Sequence, residues 1–572
     1  MTSNVPALQS RVLNAPMTPA ELFRTLRSCD ISQISPDQNH QYIQDAQRDV
    51  DLLENDMELL ENHIRRLRTR QAVLKRDILQ YGSLESPIRK LPVEVLRLIF
   101  RFTSKQSIFG IDREWMSTAF CLSSVCSRWR EVSLNSPELW ADVGFSIDEE
   151  KALKPVLISL NRSQDYPLTV HIAGEDEDGQ KFQAFLAPLY QNCDRLYHLD
   201  FTGMSWEIIQ GAMDPFSDTP LLHSVVCQGE LAHDVLARLI TNAPRLRNVN
   251  FGFSSCHEPE SIAYFPCNTT RHLEVRYDGP PGLEGVLEAL RRGSQLESTT
   301  LRWTESLDLD SDTSDSYQAS DEPTEKARSS ISFLSVEFSE PKGFFPLIGD
   351  LLRSTSLPLL QDLRICLSFP YYLDYKKGLK WFGAWPRDAF HSFLDRSDCT
   401  LTTLALEGMA LSESEVIGLL KYTPFLHTFT LCELWATDRY REDVARGYSC
   451  APKKPKLKYR VVTKSFLKKL EGSMVTADAF ATAQHPLIPR LKTLKLGVQS
   501  HFVGDEVFVN FVKSRWQQAD DDVGLNAEVE RLRTVALHVV GRKLVEKVYE
   551  PLKRVDREGM MISVFGDGVR VI

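Results

Sequence analysis

The sequence predicts an α/β protein that begins with a long heptad helix, continues with a three-helix domain and ends with a solenoid of strand–helix repeats. Three observations support this prediction: apolar residues at 3–4 spacing, a dense block of apolar residues at helical spacing, and one short apolar motif that returns many times. A chain of 572 residues is also too long for a single core. The expected domains are a flexible tail over 1–40, a coiled-coil helix over 41–82, the three-helix domain over 86–145 and the solenoid over 150–572.

The heptad pattern lies near the N-terminus. The a and d positions are Ile43, Ala46, Val50, Leu53, Met57, Leu60, Ile64, Leu67, Gln71, Leu74, Ile78 and Tyr81. Only Gln71 is polar, and a 3–4 spacing sustained this long is typical of a coiled coil. Gly82 then favours a helix end. The apolar stripe requires burial but does not specify its partner, so a second copy of the chain and the chain's own neighbouring domains stay open as alternatives.

The C-terminal part repeats an apolar residue, two free positions, an apolar residue, one free position and another apolar residue. The copies are Leu196/Leu199/Phe201, Leu222/Val225/Cys227, Leu246/Val249/Phe251, Leu296/Thr299/Leu301, Phe333/Val336/Phe338, Leu360/Leu363/Ile365, Leu401/Leu404/Leu406, Leu426/Phe429/Leu431, Leu491/Leu494/Leu496 and Leu532/Val535/Leu537. Helix-like stretches such as 232–246 and 412–426 lie between copies. A strand followed by a helix at this period indicates a leucine-rich-repeat-like array. The alternative is an ordinary α/β domain whose strands match the motif by coincidence.

Two segments interrupt the array. Residues 305–330 are acidic, rich in Ser and almost free of apolar residues, which predicts a disordered loop with phosphorylation as an alternative role. Residues 452–460 are basic, which fits either a solvated insertion or a nuclear-import signal.

The block at 86–140 predicts three short helices. Pro92 suits the first turn of a helix, and Val95, Leu96, Ile99 and Phe100 make an apolar face at helical spacing. A unit of about 50 residues is too small to bury so many large apolar groups by itself, so a partner surface is implied.

The order of residues in this block resembles the F-box. The matching positions are Leu91-Pro92-x-Glu94-Val95-Leu96-x-x-Ile99-Phe100, then Val125-Cys126-x-x-Trp129-Arg130, then Leu139-Trp140. With the preceding heptad helix, the chain is similar to the F-box proteins abundant in mushroom-forming fungi.

The resemblance implies that the block binds the Skp adaptor, and through it cullin and RING subunits. Carried onto this sequence, it places Leu91, Pro92, Glu94, Leu96, Ile99 and Phe100 in the leading contact edge and Val125, Trp129 and Trp140 in the core and second edge. The implied function is that of a substrate-recognition subunit of an SCF-type ubiquitin ligase. The alternative is a scaffold that recruits the adaptor without ubiquitin transfer.

A protein substrate is expected on the strand face that points away from the core, because side chains alternate along a strand. The implied positions are Asp200, Asn248, Asn250, Arg302, Asp362, Arg364, Glu407, Thr428, Thr430 and Lys495. The three cations Arg302, Arg364 and Lys495 favour an acidic or phosphorylated degron. The alternative is that these charges only keep an exposed sheet soluble.

Composition excludes several other functions. A net charge of -10 argues against a general nucleic-acid binder. No apolar run approaches the ~20 residues that span a bilayer, and no signal-peptide core is present, so a cytoplasmic or nuclear protein is expected. Phosphate-loop, nucleophile-elbow and zinc-protease motifs are absent, and the cysteines and histidines show no metal-ligand spacing. We therefore expect no enzyme activity, no cofactor and no metal.

Overall fold

The structure is a computed structural model in which two compact units are distinguished, Met1–Ile99 and Phe100–Ile572. It describes residues 15–28, 35–104, 118–146, 153–174, 186–202, 218–230, 242–253, 269–278, 283–304, 326–339, 344–367, 384–433, 460–471, 486–502, 504–517 and 529–572. No helix among these residues has the length and apolar character that crossing a membrane requires.

The first unit is helical. Helix α1 spans Pro19–Ser28, α2 spans Pro36–Leu84, and a 3-10 turn at Pro87–Lys90 precedes α3, Val93–Ser104, which continues into the second unit. Helix α2 begins before the heptad pattern does, because Pro36 suits a first turn and the polar residues after it need no apolar stripe to be helical. It also passes through Gly82, where a helix end was predicted. No residue of α2 is buried.

The second unit mixes helices and strands. Its helices are α4 Thr118–Val125, α5 Ser127–Leu134, α6 Pro137–Trp140, α7 Leu153–Arg162, α8 Glu284–Arg292, α9 Phe344–Ser354, α10 Arg387–Ser397, α11 Glu413–Lys421, α12 Lys464–Glu471, α13 Asp505–Gln517 and α14 Glu546–Arg557. A 3-10 turn covers Cys193–Arg195. Helix α11 begins with the predicted capping box, in which Ser412 and Glu415 satisfy each other's backbone N–H groups.

The strands are β1 Asp142–Ser146, β2 Leu168–Ala173, β3 Leu196–Thr202, β4 Ser224–Glu230, β5 Asn248–Phe253, β6 His272–Asp278, β7 Ser298–Thr304, β8 Ala327–Arg328, β9 Phe333–Phe338, β10 Thr355–Ser356, β11 Asp362–Leu367, β12 Thr403–Met409, β13 Thr428–Glu433, β14 Thr493–Gln499, β15 Thr534–Val540, β16 Met561–Gly566 and β17 Val569–Arg570. Among the described residues, fifteen strands form one sheet in chain order, from which only β8 and β10 are missing. Neighbours are parallel except for the final β16–β17 pair. Within the described residues, one helix lies between each strand and the next from β11 to β16.

The register places equivalent apolar positions side by side. Leu363 of β11 lies opposite Leu334 of β9 and Leu404 of β12, and all three are buried. These residues belong to one continuous core that runs along the sheet and includes the inner faces of the helices. Strands such as β13 and β15 bury alternate side chains, so the intervening ones form a second, polar face.

One copy of the motif was assigned out of phase. The register pairs Leu301 with Val336 and Thr299 with Leu334, so the true copy is Ile331/Leu334/Val336. Phe333 therefore lies on the polar face, where the Arg364 guanidinium lies 5.0 Å from its ring centre. The array also contains strands that the motif missed. Strand β6 is one, because the first position of its copy is a buried threonine, Thr270.

Most of the two predicted insertions lies outside the described residues, namely 305–325 and 452–459. The last residues assigned to the acidic loop are ordered instead. Ala327 is buried in β8, which pairs with β10, so the predicted loop was drawn too long.

Two buried charged side chains form hydrogen bonds to backbone groups that lie close in sequence to residues outside the described ranges. The Glu433 carboxylate accepts hydrogen bonds from the backbone N–H groups of Val461 and Val462, at 3.0 and 2.9 Å. The Arg515 guanidinium donates to backbone carbonyls of Leu470 and Ile488, at 3.1 and 3.2 Å. Each charge is stabilised by groups that would otherwise be unpaired in the interior.

Candidate functional site

Helix α3 has a buried side and an exposed apolar side. Leu96 and Phe100 have no exposed surface, whereas Val95, Leu98 and Phe102 are 38, 52 and 70% exposed. Residues three and four apart share one side of a helix, so the exposed three form a single stripe. Of the other residues predicted for the contact edge, Leu91 and Ile99 are partly buried, and Pro92 and Glu94 are exposed.

Aromatic side chains hold the short helices that follow. The ring of Phe100 lies 4.8 Å from that of Trp129, and the ring of Phe120 meets that of Trp140 edge-on at 5.0 Å. The indole N–H of Trp140 donates to the Ser133 carbonyl at 2.8 Å. Because the buried indole finds its acceptor locally, Trp140 stabilises this block without outside help.

These observations correct part of the predicted contact edge. Leu96 and Phe100, which were predicted for the leading contact edge, are completely buried. Of the residues predicted for the core and second edge, Trp140 is completely buried and Val125 is 59% exposed. The motif gives the order of apolar residues, but only the packing shows which of them face outward.

The predicted substrate residues all lie on the polar face of the sheet, in three rows across the strands. The first row contains Asn248, Asp362 and Thr428, the second Asp200, Asn250, Arg364, Thr430 and Lys495, and the third Arg302 and Glu407. Their accessibility differs. Asp200 is only 6% exposed, which removes it from a docking surface.

The three cations of this face have different electrostatic surroundings. Arg302 lies between Glu274 and Glu337, with nitrogen–oxygen distances of 2.8 and 2.9 Å. Arg364 pairs with Asp362 at 2.9 Å, and that hydrogen bond is the main cause that raises the pKa of its guanidinium. Lys495 is exposed and has no carboxylate within ion-pair distance among the described residues. An acidic ligand would thus find two of the three charges already neutralised.

A cluster of imidazole and carboxylate groups lies on the same face near its beginning. It consists of His171 on β2 and His198 and Asp200 on β3, with Asp142 of β1 beside them. The His171 Nδ1 lies 3.1 Å from an Asp200 oxygen. Sequence spacing missed this cluster because His171 is 27 positions from His198 and 29 positions from both Asp142 and Asp200. Only the register of adjacent strands, in which His171 lies opposite Asp200, could have revealed it.

Comparison with known proteins bears on the helical block. Residues 88–146 match the family described as F-box-like. This block is an F-box-like domain. The match confirms the F-box-like part of the resemblance.

Other comparisons add little. No curated protein matches the chain. Among solved structures, the crystal structure of the Rad7 and Elc1 complex in yeast is 12% identical, covering 86% of this chain and 97% of that chain with a TM-score of 0.26. A TM-score this low does not indicate a shared fold.

Proposed function

We propose that this protein is the substrate-recognition subunit of an SCF-type cullin–RING ubiquitin ligase, whose F-box-like domain binds the Skp adaptor. The observation that carries the proposal is the F-box-like match at 88–146. The exposed stripe of α3 supports it, because a contiguous apolar surface on a small domain is typical of an interaction site.

The proposed contact edge combines the sequence motif with the observed exposure. Leu91, Pro92, Glu94 and Ile99 stay in it, and the exposed Val95, Leu98 and Phe102 replace the buried Leu96 and Phe100. Val125 contributes the second edge, while Trp129 and Trp140 hold the helices in place.

A double alanine variant tests adaptor binding. Leu98→Ala with Phe102→Ala should reduce the affinity for the purified adaptor by well over thirtyfold, because each buried interface anchor is worth about 2 kcal/mol. Circular dichroism should be unchanged, since both side chains are exposed. The matched control is Leu157→Ala with Leu359→Ala, which removes two leucines that are 45 and 56% exposed and lie far along the sequence. Undiminished binding by the folded Leu98/Phe102 variant would refute the adaptor assignment.

The strand-rich part is proposed to be a degenerate leucine-rich-repeat-like solenoid that holds the protein substrate on its polar strand face. The chain-order parallel sheet and its alternating helices support this architecture. The accessible members of the three rows are the contact candidates, and the list is Asn248, Asn250, Arg302, Asp362, Arg364, Glu407, Thr428, Thr430 and Lys495.

Substrate capture separates a ligase subunit from a scaffold. The Leu98/Phe102 variant should accumulate substrates that the parent chain passes to the ligase, so proteins enriched on it are the candidates. Addition of adaptor, cullin, RING subunit and a charged E2 to the parent chain should then ubiquitylate such a candidate. A reconstituted complex that binds the candidate and transfers no ubiquitin to it would favour the scaffold.

A further inference from the structure

The cluster on the first three strands combines four groups of the kind that bind metal ions. Donor atoms of His171, His198 and Asp200 all lie within 4.8 Å of one another. Asp142 places a carboxylate oxygen 3.7 Å from the Nε2 of His171. Gly144 lies opposite His171 on β1, so this position contributes no side chain next to the imidazole. Within the part of the chain that the structure describes, no other group of three such residues comes together.

The cluster is buried and incompletely hydrogen-bonded. His171 and Asp200 are 7 and 6% exposed. The Nε2 of His171 is buried and makes no hydrogen bond to any described residue. An unpaired nitrogen in the interior is costly, so its presence beside two carboxylates is informative.

The chemistry of the cluster also favours a cation. Imidazole nitrogens and carboxylate oxygens are donors to divalent metal ions. A positive ion at this position would interact favourably with the buried Asp200 carboxylate and with that of Asp142 beside it.

We propose that His171, His198 and Asp200 bind a divalent transition-metal ion, with zinc as the best match. Imidazole nitrogen and carboxylate oxygen are common zinc ligands, at about 2.0–2.2 Å from the ion. In a tetrahedral site such donors are roughly 3.3 Å apart. The 3.1 Å between His171 Nδ1 and Asp200 Oδ2 fits this spacing, and a donor nitrogen of His198 lies within 4.8 Å of both.

Asp142 has a separate role in this site. When the metal occupies Nδ1 of His171, the proton of that ring resides on Nε2 and faces the Asp142 carboxylate. A carboxylate that accepts this proton orients the imidazole and increases its basicity. The three protein ligands leave a fourth position for water. The bound ion would join β2 to β3 immediately after the F-box-like domain.

A His–Asp pair that binds no metal could show the same 3.1 Å contact between His171 and Asp200. The experiment therefore measures the bound ion directly. Full-length protein stripped with a chelator is titrated with zinc in a calorimeter, and cobalt(II) is used as the spectroscopic probe. One ion per chain and the visible bands of four-coordinate cobalt with nitrogen and oxygen ligands are expected. His198→Asn should weaken zinc binding by about 100-fold or more, because loss of even an outer partner costs about 10–100-fold.

The matched control is His272→Asn. His272 lies on the same face of the sheet but is exposed and hydrogen-bonded to Ser298, so zinc affinity should not change. Asp142→Asn removes no ligand and should weaken binding by about 10–100-fold, which covers the case in which His198→Asn fails to fold. Absence of zinc binding, unchanged affinity in the cluster variants, or thiolate bands in the cobalt spectrum would each overturn the proposal.

Discussion

Arg515 is almost fully buried on α13, and both Nη atoms of its guanidinium donate to backbone carbonyls, whereas its Nε has no partner among the described residues. Besides Leu470 and Ile488, the guanidinium reaches the carbonyls of Pro489 and Glu530, at 3.0 and 3.3 Å. Burial lowers its pKa to about 10, which leaves it charged at neutral pH. A single side chain thus replaces water for several carbonyls where the chain returns to the sheet.

Replacement of Arg515 should therefore strongly destabilise the fold. Arg515→Leu should lower the free energy of unfolding by about 2–4 kcal/mol, because it leaves several buried carbonyls unpaired. Arg515→Lys should recover only part of the loss, since an ammonium has three donors instead of five. Urea denaturation followed by circular dichroism measures the effect.

The control for this prediction is Arg554→Leu. Arg554 is 86% exposed and pairs only with its helical neighbour Glu558 among the described residues. Its replacement should change stability by less than about 0.5 kcal/mol. If the two leucine variants were equally stable, the carbonyl contacts of Arg515 would not be stabilising.

Arg302 and Lys495 should respond differently to charge reversal. Arg302→Glu places a third carboxylate between Glu274 and Glu337, so we expect a loss of about 1–2 kcal/mol. Lys495→Glu should cost less than about 0.5 kcal/mol because the side chain is exposed. Thermal unfolding of the two variants at low and high salt measures the difference. If Arg302→Glu left the stability unchanged, the ion pairs of Arg302 would contribute nothing to it.

For single residues, the sequence predicts the position of a side chain where periodicity determines which face of a strand it lies on. Alternation along the strands correctly placed Thr430 and Lys495 on the polar face. It failed at Phe333, because Phe333 and Ile331 are both apolar and either can begin the motif. Pairing between distant residues, such as Arg302 with Glu337, is invisible until the register of two strands is known.

Helix α2 shows that a sequence pattern can predict an element without identifying the surface that covers it. The heptad pattern correctly predicted a long helix, and the structure leaves its a and d residues, including Leu53 and Met57, exposed. Because a helix of this kind gains little stability alone, we expect the stripe to pair with that of a second copy. The heptad pattern of one chain requires burial of the stripe but does not specify which surface buries it, so the sequence could not identify the partner.

Light scattering of the full chain tests this pairing. The parent should have twice the 65.2 kDa mass of one chain. Leu53→Lys with Leu60→Lys should give monomers, because charges at d positions disrupt the seam. Leu52→Lys with Leu59→Lys, which changes equally exposed leucines one position outside the seam, should stay dimeric. A monomeric parent would contradict self-association.

The whole sheet is arranged so that interactions are local in sequence. Each of its strands from β2 to β16 pairs only with the strands immediately before and after it in the sheet. Stability in such an arrangement approximates a sum over neighbours. The order of strands was predictable from the repeat period, whereas the lengths of the interruptions were not, because loops carry no periodic signal.

Because strand pairing is local in sequence, a destabilising substitution should affect mainly the strands near it. Arg515→Leu should increase hydrogen exchange in β14, β15 and β16 while leaving β1 to β5 at the rates of the parent protein. Mass spectrometry of peptides from both ends, under identical conditions, makes the comparison. Equal acceleration at both ends would show that the sheet unfolds as one cooperative unit.

The pairing order also has a consequence for synthesis on the ribosome. Because every strand of the large sheet joins one that precedes it, no strand has to wait for a partner that is still untranslated. Folding can therefore follow elongation from the N-terminal side. During elongation, the newest strand presents an open edge, which is the part of a sheet most prone to aggregation. The edge of β16 stays open until the short antiparallel strand β17 pairs with it.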